Sequence, residues 1–190
     1  MNLERVLPFV KKLLQNVIED GDIVIDATVG NGHDTLFLAD LVGPNGMVYG
    51  FDVQKKAIEA TNRLLADYGY TRQITLFHES HAHVKRNIPV EEHGTIKSAI
   101  FNLGYLPGSD KKVITRPDST LQAIQGLLEI IAVGGLIIVV VYHGHEGGKE
   151  EKDALLSYLS NLDQKVAHVL RYQFINQKND PPFLIAIEKH

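Results

Sequence analysis

The sequence predicts an α/β fold: a seven-stranded, mostly parallel sheet whose last strand is antiparallel, with helices on both faces. Three observations carry this reading. Short apolar runs alternate with stretches of helical periodicity along most of the chain. The run Leu136 to Tyr142 is apolar at nearly every position, as a strand covered on both sides requires. At the end the alternation breaks, because two strand-like segments follow each other with only a short link.

The elements follow in order. Leu3, Val6, Leu7, Val10, Leu13, Leu14, Val17 and Ile18 recur at helical spacing and Asp20-Gly21 stops the run, so residues 1–20 predict an amphipathic first helix. Ile23 to Ala27 reads as a buried strand, Thr35 to Leu41 as a helix, Met47 to Asp52 as a strand after the turn Gly43-Pro44-Asn45-Gly46, and Lys55 to Tyr68 as a longer helix. A strand at Ile74 to His78, a short helical piece at His83 to Asn87 and a strand at Lys97 to Asn102 come next. Helix Ser119 to Ala132, the turn Gly134-Gly135 and strand Leu136 to Tyr142 complete the alternation. Helix Glu150 to Leu162 leads into strand Val166 to Phe174, then Asn179-Asp180-Pro181-Pro182 and strand Phe183 to Glu188, a pair that must be antiparallel neighbours. Seven strands ending in a hairpin are the layout of a Rossmann-like methyltransferase domain and not of a dehydrogenase.

Composition narrows the class. A chain of 190 residues with 44% hydrophobic content predicts one domain, residues 1–190, with a full core. No stretch of 18 apolar residues predicts a membrane span, and Met1-Asn2-Leu3-Glu4-Arg5 lacks the layout of a signal peptide, so a cytoplasmic protein is expected. With no cysteine there is no disulfide, no thiolate metal site and no thiolate nucleophile, which disfavours methylation of a pyrimidine ring carbon and favours a nitrogen or oxygen acceptor. The net charge of −4 gives no global attraction to nucleic acid. A local patch of Lys111, Lys112 and Arg116 against Asp110 is the candidate RNA contact, although most such runs are solvated loops.

The richest stretch is Asp26-Ala27-Thr28-Val29-Gly30-Asn31-Gly32, which follows an apolar run and ends in two closely spaced glycines. Gly30 and Gly32 let the backbone approach a ligand, and Asp34-Thr35 opens a helix whose free N–H groups face the same spot. The third glycine of a dinucleotide fingerprint is missing, and anionic Asp34 sits where a phosphate would go. That combination disfavours a pyrophosphate and suits a cationic ligand such as S-adenosylmethionine. Asp52 lies about 20 residues past the glycines, where an acid accepts from ribose hydroxyls.

The other strand ends are polar as well. His78-Glu79-Ser80-His81 falls where adenine would lie, with Ser80 and His81 as candidates for the base edge; the plainer reading makes Ser80 an N-cap. Phe101-Asn102-Leu103-Gly104-Tyr105-Leu106-Pro107-Gly108 resembles the Asn/Asp-Pro-Pro-aromatic loop of amino-methyltransferases, with Leu103-Gly104 replacing the prolines. There the amide oxygen and a neighbouring backbone carbonyl hold the amine hydrogens away from the line of attack, and Tyr105 could stack on a base. Tyr142-His143-Gly144-His145-Glu146 offers substrate-facing groups and a base for the amine proton. His-x-His here and at His81-Ala82-His83 invites a zinc reading, but methyl transfer needs no metal and none is expected.

Taken together, DATVGNGHDTLFLA, FDVQ, FNLGYLPG, YHGHEGG and NDPPF resemble the bacterial family first labelled as rRNA methylases, from about Val6 to Lys189. Its characterised members are S-adenosylmethionine-dependent tRNA methyltransferases. The resemblance implies methylation of the exocyclic amine of 5-aminomethyl-(2-thio)uridine at the tRNA wobble position, with the anticodon stem-loop as substrate. It further implies that Asn31, Asp52, Gln54, Ser80 and His81 hold the cofactor, bordered by Val29, Asn102 and Leu103. Asn102, Tyr105, Tyr142 and His145 would surround the amine, with Gly104 and His143 beside the substrate. A ribosomal RNA N-methyltransferase and a non-catalytic cofactor- or RNA-binding module are the alternatives. A homodimer would help a small acidic protein grip its RNA.

Overall fold

The computed structural model describes residues 2–70, 72–103, 117–144 and 147–190. Strands β1 (Ile23–Asp26), β2 (Met47–Phe51), β3 (Ile74–Phe77), β4 (Ile96–Leu103), β5 (Ile131–Val141), β6 (Ala167–Tyr172) and β7 (Phe183–Lys189) form one sheet in the order β3-β2-β1-β4-β5-β7-β6. β1 to β5 pair in parallel, while β7 inserts antiparallel to both β5 and β6. The expected sheet with its antiparallel last strand is therefore present. The order reverses at β1/β4, so the ligand crevice lies above the carboxyl ends of those strands.

Helices α1 (Val6–Val17) and α2 (His33–Val42) cover one face. On the other lie α4 (Val84–Asn87), α5 (Pro117–Ile130) and α6 (Gly148–Ser160), while α3 (Lys55–Asp67) packs beside α2. Because side chains alternate along a strand, Ile100 and Val140 point to the α1/α2 face and Phe101, Leu103 and Val141 to the other. α1 buries Val6, Val10 and Leu14 on this sheet, a stripe of spacing four. Its start is anchored at the far edge: the Tyr172 hydroxyl donates to the Glu4 carbonyl (2.8 Å) and its ring lies 4.4 Å from that of Phe9.

Most element ends lie within two residues of the sequence reading, but α1 covers only Val6–Val17 of the expected 1–20 and the start of β5 moves further. β5 begins at Ile131, and Gly134-Gly135 lies inside it instead of forming a turn before it. The register jumps from Ile96↔Ile131 to Ser98↔Leu136, so the glycines form an irregularity within the strand. Gly134 has φ +73°, and a Cβ on Gly135 would stand 2.7 Å from Ile131 Cγ1, which explains both glycines.

Candidate active site

The glycine loop is held by a buried acid. Asp26 is fully buried at the end of β1, where its Oδ2 accepts from the Thr35 hydroxyl (2.6 Å) and its Oδ1 from the Thr28 N–H (3.0 Å). Burial, reinforced by the charge of Asp34, pushes its carboxyl up to about 7 against the pull of those two bonds. Asp26 and Thr35 are thus a brace inside the loop. Gly30 and Gly32 have φ of +53° and +83°. A Cβ on Gly32 would meet Thr61 Oγ1 at 2.7 Å, and that same hydroxyl donates to the Gly30 carbonyl (3.2 Å). Thr61 carried no sequence signal, since a lone threonine in an amphipathic helix is unremarkable. Val29 is buried and Asn31 is exposed at the tip.

Asp52 joins two loops. Its Oδ2 accepts from the Gly30 N–H (2.9 Å) and its Oδ1 from the Gln54 N–H (2.8 Å). Each oxygen keeps a further lone pair, so the carboxylate can still accept from a diol. Burial raises its pKa, and the two N–H groups oppose that shift.

Past β3, Ser80 caps the 3₁₀ turn His81–His83, accepting from the Ala82 N–H (3.2 Å), while its own hydroxyl proton remains available. His81 turns inward. Its Nδ1 stands 3.0 Å from the Ala27 carbonyl, and since a carbonyl only accepts, Nδ1 carries the proton. Nε2 is buried without a partner, the ring meets Phe101 edge-on, and burial pushes the imidazole down to about 4. His83 faces Glu79 instead (2.9 Å), so these two histidines do not converge on one point.

The ends of β4 and β5 bring Asn102 and Tyr142 to the α1/α2 face. Asn102 donates its backbone N–H to the Thr28 hydroxyl (2.7 Å) and its Nδ2 to Asp34 Oδ2 (3.1 Å). With Nδ2 committed to Asp34, Oδ1 accepts no hydrogen bond among the described residues. The Leu103 carbonyl receives the Tyr142 N–H (3.3 Å) and keeps its second lone pair. Tyr142 is half-buried, and burial and then the Asp34 charge raise its hydroxyl pKa. His143 points to the opposite face, against Phe183 (5.6 Å between centroids) and 3.7 Å from Asp180, with Nε2 buried and unpartnered. Gly104, Tyr105, Lys111, Lys112, Arg116, His145 and Glu146 lie outside the described residues.

Beneath this edge is a cavity of about 270 Å³, lined among others by Lys11, Asp34, Phe37, Ile100, Asn102 and Val140. Lys11 reaches it from α1, with Nζ 5.0 Å from the Phe37 ring centroid. Among the described residues no group of three His, Asp or Glu side chains is placed to hold a metal ion, and no helix is long and apolar enough to cross a membrane.

Comparison with known proteins identifies the chain's relatives. Residues 48–188 match the profile of the family described as "Putative rRNA methylase". A tRNA (mnm(5)s(2)U34)-methyltransferase of Arabidopsis thaliana chloroplasts is 38% identical over 92% of the chain; the chain spans 66% of that relative's length. A crystal structure described as a "putative rRNA-methylase" from Clostridium thermocellum superposes with a TM-score of 0.95 at 42% identity over 100% of both chains. A "putative methyltransferase" from Streptococcus mutans, in complex with SAH, superposes with a TM-score of 0.89 at 40% identity over 99% of each chain.

Proposed function

The chain belongs to the rRNA methylase family, and on that premise we propose that it is an S-adenosylmethionine-dependent RNA methyltransferase. Its proposed acceptor is the exocyclic amine of 5-aminomethyl-(2-thio)uridine at the tRNA wobble position, and its product is 5-methylaminomethyl-(2-thio)uridine. The observation that carries this reading is the commitment of Asn102 Nδ2 to Asp34 at the end of β4, which leaves Oδ1 without a hydrogen bond among the described residues. Oδ1 and the second lone pair of the Leu103 carbonyl are a pair of acceptors for amine hydrogens.

The chemistry follows from that pair. The acceptor ammonium would release a proton to solvent, the lone pair so freed would form the N–CH₃ bond as the CH₃–S bond breaks, and the sulfonium would leave as the neutral sulfide of S-adenosylhomocysteine. Asn102 and Leu103 orient the nitrogen, and the half-buried Tyr142 hydroxyl lies on the same face. The absence of cysteine fits a nitrogen acceptor. The cofactor is supported by the SAH-bound Streptococcus mutans relative and by the Asp52 bridge, and the RNA by the chloroplast relative.

The test is methyl transfer from labelled S-adenosylmethionine to tRNA and, separately, ribosomal RNA from cells lacking the protein, with nucleoside mass spectrometry. Conversion of the aminomethyl-uridine in tRNA is expected. Label in ribosomal RNA would move the assignment to a ribosomal N-methyltransferase, and no label in either despite cofactor binding would overturn the enzymatic reading.

A further inference from the structure

We propose that Lys11 on α1 and Asp34 on α2 seat the amino-acid end of the cofactor, Lys11 taking its carboxylate and Asp34 its ammonium. This rests on the cofactor reading above and not on the identity of the RNA. The cavity between α1 and α2 is walled mainly by apolar side chains, and its polar lining is Lys11, Asp34, His33 and Asn102. Lys11 makes no ion pair among the described residues; its ammonium stands over the Phe37 ring, which supports a cation without neutralising it. Among the described residues Asp34 has one hydrogen-bond donor, Asn102 Nδ2, on a single oxygen, so its other oxygen can accept.

A pocket with separated positive and negative corners and an apolar floor suits a zwitterion on a short alkyl stem. The α-amino-acid tail of S-adenosylmethionine has that chemistry. The position fits as well, because Asn102 belongs to both this cavity and the acceptor site, so a ligand filling the cavity would bring its sulfonium end beside Asn102. The first helix then acts as a wall of the cofactor site in addition to covering the sheet.

The test compares three adenosine ligands by titration calorimetry: S-adenosylhomocysteine, decarboxylated S-adenosylmethionine, which keeps the amine alone, and 5′-methylthioadenosine, which has no tail. Lys11→Met should weaken S-adenosylhomocysteine about 10-fold, the scale of a partly screened charged hydrogen bond, and leave the other two unchanged. Lys11→Arg should restore most of the loss. Asp34→Asn should weaken both tailed ligands and spare methylthioadenosine. Unchanged S-adenosylhomocysteine affinity in Lys11→Met, or an equal loss on all three ligands, would overturn the assignment. Failure of the wild-type protein to bind S-adenosylhomocysteine would instead sink the cofactor reading itself.

Discussion

Around the glycine loop, past β1, β2 and β3, most polar side chains are bound by the protein itself, His81 Nε2 being an exception among the described residues, whereas at the ends of β4 and β5 fewer are. Asp26 is satisfied by Thr28 and Thr35, Asp52 by Gly30 and Gln54, and Thr61 by Gly30, while His81 Nδ1 is tied to Ala27. By contrast Asn102 Oδ1 and the Tyr142 hydroxyl have no hydrogen bond among the described residues. On the proposed function the first region is a mould for the cofactor, held in shape by its own hydrogen bonds. The second keeps acceptors in reserve for a group that arrives, reacts and leaves.

Substitutions should separate the two regions. The largest effect is expected at Asn102: Asn102→Ala should lower kcat about 100- to 1,000-fold, as removal of a positioned catalytic hydrogen-bonding group does. S-adenosylhomocysteine affinity by calorimetry should change only slightly, and unchanged turnover would remove Asn102 from the mechanism. In the mould the effect should fall on folding. Gly32→Ala combines φ +83° with a contact of 2.7 Å to Thr61 Oγ1, and should cost about 2–3 kcal/mol in urea unfolding. Adding Thr61→Ala should return the steric share of that loss and leave the backbone share. Full recovery would mean that the dihedral is not strained.

The mould also predicts a compensated pH response. His81 is depressed to about 4, so its contribution is fully present above its ordinary value near 6.5 and is lost as pH falls toward 4. Asp26 is raised to about 7, so its contribution is full below its ordinary 3.8 and is lost as pH rises through about 7. Between pH 4 and 6.5 the two slopes oppose, and wild-type urea midpoints should vary little. His81→Asn keeps an N–H for Ala27 but does not titrate, so its stability should fall as pH rises across that window, by on the order of 2 kcal/mol. A parallel profile in both proteins would refute the compensation. The smallest effect belongs to the acceptor side: Tyr142→Phe should lower kcat about 5-fold, the worth of one neutral hydrogen bond, without moving cofactor affinity.

The same contrast governs what could be read from the amino acids. Strands β1, β2 and β4 were legible because buried parallel strands are apolar runs, and the glycine loop was legible because φ values of +53° and +83° demand glycine. Asp52 was legible from its distance to that loop. The start of β5 was not, since a glycine pair marks a turn and an in-strand irregularity alike. Of the two readings of Ser80, the capping one describes the hydroxyl's bond, and the sequence could not say that His81 Nδ1 is engaged by the Ala27 carbonyl. Thr28, Thr61 and Lys11 were missed because their roles depend on elements far apart in the chain, and no local pattern records that Thr28 would meet Asn102.

That Thr28 contact has a mechanical consequence. Its hydroxyl belongs to the loop proposed to cradle the methyl donor and receives the backbone N–H of the residue proposed to aim the acceptor. Donor and acceptor are therefore referenced to one shared joint, and a drift of the glycine loop carries the end of β4 with it. Displacement becomes common to both reactants and cancels from the gap between them, so the line of transfer can stay true while the protein around it breathes.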